Sequence, residues 1–130
     1  MNDRPWLASY PQGVPADIDA SQYHWLRSES PPQHAARSEW QVSRVYCVLN
    51  RPEPALHHAR RVLDLCQRHG IGDWDLACAY EALARAHAIA GDYDEARRWL
   101  EQGRLACEDI AEDDDRDIIA ADLDTIPLPR

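Results

Sequence analysis

The sequence predicts an all-α protein with two helical hairpins, a short C-terminal capping helix and an extended N-terminal arm. Residues 34–111 are rich in Ala, Leu and Arg, and only three short segments with helix-end residues interrupt them. The small and apolar residues of this stretch also recur in one register with a 41-residue period. We therefore divide the chain into an arm (1–33), a helical domain (34–111) and an acidic segment with a capping helix and tail (112–130).

The arm has no helical pattern and holds five of the nine prolines. Proline lacks a backbone N–H and interrupts both helices and central strands, so we expect extended chain here. The apolar side chains of Trp6, Leu7 and Tyr10 need cover from water. We expect them to pack on the helical domain.

The first hairpin is predicted from its end signals. Ser38 and Gln41 have the spacing of a capping box, which would start a first helix that ends near Leu49. Two prolines follow in the segment NRPEPA (residues 50–55), where they suit the first turn of a new helix. The second helix is therefore predicted over about Glu53 to His69.

The second hairpin begins after Gly70, which suits a left-handed C-terminal cap, and Asp73 is expected to cap a third helix that ends near Ala90. Asp92 and Glu95 have the spacing of another capping box. They predict a fourth helix that ends near Ala111.

A short fifth helix is predicted over about Asp115 to Asp124, because acidic residues in a first turn are favoured by the helix dipole. Its apolar residues Ile118, Ile119 and Leu123 are expected to cover one end of the hairpin stack.

The third and fourth helices carry a motif of large and small residues: Tyr80, Leu83, Ala84, His87, Ala96 and Leu100. It resembles the tetratricopeptide repeat, a helical hairpin in which small residues allow the two helices to approach closely. A degenerate copy lies 41 residues upstream, with Ser43 and Ala55 at the small positions and Asn50 in place of Gly91. The resemblance covers residues 36–111. A plain four-helix bundle is the alternative, but it would not require a shared register.

The resemblance implies a non-catalytic scaffold or module that binds a protein or peptide on the concave face formed by the first helix of each hairpin. Arg44 and Arg85 occupy equivalent positions, and two guanidinium groups could hold a carboxylate or an acidic peptide. The alternative is that they pair with Glu81 or with the chain's own acidic segment. The residues expected to be exposed on this face are Arg37, Trp40, Gln41, Arg44, Cys78, Glu81, Arg85 and Ile89.

The charge and the composition of the chain indicate which partners and which cellular location to expect. The net charge of −9 disfavours nucleic-acid binding, and residues 105–130 hold nine acids against two Arg. No apolar run reaches the ~20 residues that cross a bilayer, and the N-terminus has no secretion-signal pattern. Arg is the basic residue used throughout, with no Lys, and Ala is abundant, as in GC-rich bacterial genomes. We predict a bacterial cytoplasmic protein that binds neither nucleic acid nor membrane.

Candidate chemical sites are few. Cys66, His69 and Cys78 lack the paired short spacings and fourth ligand of a zinc site, so structural thiols are expected. The run EDDDRD (112–117) lacks the ligand spacing of a calcium loop. His87 replaces a core aromatic and is expected to be buried and hydrogen-bonded. Since the sequence shows no phosphate loop or nucleophile motif, we predict no catalytic residue, no metal and no cofactor.

Residues 4–19, RPWLASYPQGVPADID, resemble the leader of bacterial long-chain acyl-CoA ligases. The resemblance carries no catalytic residue, and it implies an alternative role as an accessory or regulatory protein of fatty-acid activation. A weaker alternative is a helical protein that binds a small ligand or metal. Because two repeats are fewer than the three or so that usually stack stably, a homodimer is a further expectation.

Overall fold

The computed structural model describes residues 31–129, and the expected arm residues Trp6, Leu7 and Tyr10 lie outside this range. The described residues contain no strand, which confirms the all-α prediction. They form five helices: α1 (Pro31–Val48), α2 (Pro52–His69), α3 (Asp73–Ile89), α4 (Tyr93–Glu108) and α5 (Asp113–Asp124).

The helices are arranged as two hairpins followed by a single helix. α1 packs on α2 and α3 packs on α4, and the two hairpins meet because α3 also contacts both α1 and α2. α5 lies against α3 and α4. The core therefore lies between the hairpins, and α5 covers the second one as the sequence predicts.

The two hairpin turns have the same geometry. Asn50 has φ 55° and Gly91 has φ 82°, both in the left-handed region that Gly and Asn tolerate best. In the first turn the Arg51 N–H donates to the Tyr46 carbonyl at 2.8 Å, and the equivalent bond closes the second turn at 3.0 Å. The 41-residue register is thus present in the backbone as well as in the sequence.

Small residues lie where the helices of each hairpin approach. Ala84 and Ala96 are fully buried between α3 and α4. In the degenerate copy Ser43 and Ala55 are also fully buried, and the Ser43 hydroxyl donates to the Ala55 carbonyl at 2.8 Å. The hydroxyl is satisfied within the hairpin, so a polar residue is tolerated at this position.

The predicted start of the first helix is wrong. α1 begins at Pro31, so Ser38 and Gln41 lie inside it and Gln41 is fully buried. Proline at the start of a helix loses no intrahelical hydrogen bond, which explains why Pro31 and Pro32 begin the helix. The last residues of the predicted arm, 31–33, are therefore helical.

For the later helices, the sequence predicts the helix bounds better than it predicts the capping residues. Gly70 has φ 63° at the C-terminus of α2, as expected. Asp73 is the first residue of α3 rather than its N-cap, although its Oδ1 accepts from the Trp74 N–H at 2.7 Å. Asp92 is the N-cap of α4 without a side-chain hydrogen bond, so the predicted capping box with Glu95 does not form.

α5 packs on α4 through apolar contacts, and the two helices approach closely at one point. Ile119 and Leu123 are buried, whereas Ile118 is partly exposed. A Cβ atom at Gly103 of α4 would lie only 3.0 Å from Leu123 Cδ2, so the glycine admits the leucine. This helix covers apolar surface that a further repeat would otherwise bury.

We expect Ala84→Leu to lower the free energy of unfolding by about 1–3 kcal/mol or more, because the site between α3 and α4 has no room for a larger side chain. Ala121→Leu on exposed α5 surface is the control, with an expected change within about 0.5 kcal/mol. Urea unfolding measures both. Equal stability of the two variants would contradict close packing at Ala84.

Candidate functional site

The residues expected on the concave face lie together on neighbouring faces of α1 and α3, which we call the inner face. The structure shows them less exposed than we expected. Arg37, Arg44 and Ile89 are partly buried. The remaining residues of the set are fully or almost fully buried: Trp40, Gln41, Cys78, Glu81 and Arg85.

Glu81 lies at the centre of the inner face and only 1% of it is exposed. Its Oε2 accepts a hydrogen bond from Trp40 Nε1 at 2.8 Å. Its Oε1 accepts from Arg44 Nη1 at 3.1 Å and from Arg85 Nε at 2.7 Å. A buried carboxylate is costly unless it is paired and hydrogen-bonded, and these three donors from α1 and α3 meet that requirement.

Arg85 extends the network to α5. Its Nη2 donates to the Asp122 carbonyl at 3.0 Å and to the Thr125 hydroxyl at 2.8 Å. Arg44 Nη2 lies 4.0 Å from Asp122 Oδ1. Cations are favoured at helix C-termini, where carbonyl groups point outward. The two arginines therefore pair with Glu81 and with the acidic segment, which was the alternative interpretation of the sequence.

A second ion pair closes the other end of the inner face. Arg37 Nε donates to Asp75 Oδ1 at 2.7 Å and Nη2 donates to Oδ2 at 3.0 Å, in bidentate geometry. Sequence reasoning did not identify Asp75, Asp122 or Thr125 as partners. The acidity of α3's first turn and of residues 105–130 was the available signal, and it did not indicate which acid would face which arginine.

The inner face is open at one end, where a depression of about 270 Å³ lies between α1, α3 and the C-terminal tail. We call it the inner groove. Val48 is 53% exposed at its edge, and Leu49 beside it is exposed to the same extent. The lining residues are Arg44, Cys47, Val48, Arg85, Ile89, Thr125 and Pro127.

Three cysteine thiols, those of Cys47, Cys66 and Cys78, have raised pKa values. Burial, reinforced by the Glu81 carboxylate, raises the pKa of Cys47 to about 12. Burial, with Asp75 adding to it, raises the pKa of Cys66 to about 12 and that of Cys78 well above the usual value. The thiolate is the nucleophile and metal ligand, so these neutral thiols fit the structural role expected of Cys66 and Cys78.

Residues 31–129 contain no group of three or more His, Cys, Asp or Glu side chains arranged to hold a metal ion. Among their helices none is both long and apolar enough to cross a membrane.

We expect Glu81→Gln to lower the free energy of unfolding by about 3–5 kcal/mol, since it leaves two largely buried guanidinium groups without their carboxylate. Glu101→Gln removes the same charge from exposed surface of α4 and should cost less than about 0.5 kcal/mol. Chemical denaturation gives both values. A Glu81→Gln variant as stable as the control would show that the network is dispensable.

We also expect alkylation of Cys66 and Cys78 at pH 8 to be about a hundredfold or more slower in the folded protein than in urea, because burial suppresses the thiolate. Mass spectrometry after timed iodoacetamide treatment measures the rate at each site. Labelling of Cys66 in the native protein at the unfolded rate would contradict the burial described above.

Comparison with known proteins gives one match. No curated protein and no solved structure matches the chain. A family model described as "Tetratricopeptide repeat" matches residues 34–109, more than half of the chain. The shared turn geometry of Asn50 and Gly91 and the buried small residues of both hairpins agree with that match. The chain belongs to the tetratricopeptide repeat family.

Proposed function

We propose that the chain is a non-catalytic interaction module that binds an apolar segment of a partner protein in the inner groove. Tetratricopeptide repeats generally mediate protein–protein interaction or scaffolding, and the family is typically non-catalytic. The observation that carries the proposal is the exposure of Val48 and Leu49, both 53%, beside an open groove on the inner face.

The inner groove suits an apolar side chain better than an acidic one. Arg44 and Arg85 are the positive groups in its lining, and Glu81 and Asp122 already compensate them. An incoming carboxylate would have to compete with these internal partners. Burial of an aliphatic side chain against Val48 meets no such competition and contributes about 1.5–3 kcal/mol per residue.

The sequence leaves two interpretations of Arg44 and Arg85 open, a site for a carboxylate or acidic peptide and internal pairing, and the proposal follows the second. Arg37, Trp40, Gln41 and Glu81 do not line the inner groove. Trp40 and Glu81 join α1 to α3 by a hydrogen bond, and Arg37 pairs with Asp75 at the other end of the inner face. In the proposal the partner contacts Val48, Ile89 and the outer edges of the two arginines.

The fatty-acid-activation alternative stays a prediction from residues 4–19. These residues lie outside the described part of the chain, and the matching family model begins only at residue 34. Packing of the arm through Trp6, Leu7 and Tyr10, the bacterial cytoplasmic location and the absence of nucleic-acid partners also remain predictions.

We expect Val48→Asp to weaken binding of groove ligands by about tenfold or more, because it places a charge where an apolar side chain docks. Peptides selected from a random displayed library against the wild-type protein provide the ligands. Leu105→Asp is the matched control, because Leu105 on α4 is also 53% exposed but lies outside the groove.

The selected peptides should bind the Leu105→Asp variant as they bind wild type. Equal binding to the Val48→Asp variant, or failure to enrich any peptide, would count against the inner groove. Light scattering of the wild-type protein tests the remaining expectation of a homodimer. A mass near 14.9 kDa would show that a second copy does not fill the groove.

A further inference from the structure

A larger groove of about 430 Å³ lies between α2, α3 and α4, and no residue of α1 or α5 lines it. We call it the outer groove. Its volume is within the range of sites that bind small ligands or side chains. Leu63, Leu83 and Trp99 form apolar parts of the lining, and His87 lies among them.

His87 is buried, with 9% exposed, but its ring has no hydrogen-bond partner within residues 31–129. Its Nδ1 lies 3.7 Å from Asp92 Oδ2, which is too far for a hydrogen bond. The expectation of a hydrogen-bonded histidine is therefore wrong. The ring nitrogens are not among the fully buried polar atoms of the described residues, so a ligand in the groove can reach them.

Burial lowers the pKa of His87 below its ordinary value of 6.5. The Asp92 and Glu95 carboxylates oppose this effect and the Arg60 guanidinium adds to it. All three groups line the groove, as does Asp64 of α2, so its lining holds three carboxylates and one guanidinium. The ring is thus neutral at pH 7 and has one nitrogen that accepts a hydrogen bond. The group that this nitrogen can bind is an N–H donor.

The carboxylates of the outer groove differ in what they already bind. Asp64 pairs with Arg68 at 2.9 Å and Glu95 pairs with Arg98 at 3.2 Å. These pairs are exposed and contribute only about 0–1 kcal/mol each, so they can exchange partners. Asp92 forms no ion pair with an arginine of the described residues, and its carboxylate faces His87. Asp92 is therefore the acid most available to an incoming cation.

We propose that the outer groove binds an arginine side chain of a partner protein, with its guanidinium between Asp92 and His87. Because Oδ2 and Nδ1 are 3.7 Å apart, donors of one guanidinium can approach each atom to about 2.9 Å when the ring carries its proton on Nε2. The hydrocarbon part of the side chain would lie against Leu83 and Trp99. The choice of a protein partner rests on the proposed function, but the site itself shares no residue with the inner groove.

The test is an NMR titration of the full chain with the peptide acetyl-Ala-Ala-Arg-Ala-Ala-amide, followed through the His87 ring resonances. The same peptide with citrulline, a neutral isostere of arginine, should bind about tenfold more weakly or not at all. Asp92→Asn should weaken binding of the arginine peptide by about fivefold or more. Asp94→Asn is the matched control: its side chain is fully exposed and outside the groove, and binding should change by less than about twofold.

Binding should also weaken as the pH falls. A proton and the guanidinium compete for the same face of His87, so a bound cation lowers the pKa of the ring further. Affinity should therefore be constant above that pKa and decrease as the pH drops through it, in titrations between about pH 8 and pH 5. Affinity that is independent of pH would contradict contact with His87.

Three other results would overturn the proposal: equal binding of the arginine and citrulline peptides, no shift of the His87 resonances, or no effect of Asp92→Asn. Agmatine, the free amine with the same guanidinium, serves as the small-molecule probe. If it bound about tenfold more tightly than the peptide, the groove would be assigned to a free amine instead. The Val48→Asp variant should bind the arginine peptide normally, so failure here is distinguishable from failure of the inner groove.

Discussion

The buried carboxylate of Glu81 is the interaction on which the arrangement of the inner helices depends. It accepts hydrogen bonds from Trp40 and Arg44 on α1 and from Arg85 on its own helix, and Arg85 in turn binds the C-terminal end of α5. A carboxylate removed from water is tolerated only with such partners. Three helices are therefore fixed relative to one another through one polar centre, in addition to their apolar contacts.

The Glu81 network explains how the exposed face of the second hairpin is covered in a chain with two repeats. In the repeat register Arg44 and Arg85 are equivalent, yet their surroundings differ, because α1 has α3 beside it whereas α3 has α5. Arg85 uses α5's terminal carbonyl and hydroxyl groups, and Leu123 packs into the space left by Gly103. α5 thus takes the position that a further repeat would fill.

The features predicted from sequence are those that depend on near neighbours. The turns at Asn50 and Gly91 and the buried small residue Ala84 follow from local backbone geometry and from the repeat register. The predicted start of α1 at Ser38 is wrong because α1 begins at Pro31. Both residues fit a helix start, and the local sequence pattern does not distinguish between them. The burial of Arg85 could not be predicted, because its partners on α5 lie 37 and 40 residues away in sequence.

The two grooves differ in chemistry because their polar groups have different partners within the folded chain. On the inner face the charged groups are compensated internally, and Val48 is apolar surface that stays exposed beside the inner groove. In the outer groove His87 keeps an unused acceptor, and Asp92 keeps a carboxylate without an arginine among the described residues. Our two proposals therefore assign apolar recognition to one face of the repeat architecture and recognition of a cation to another.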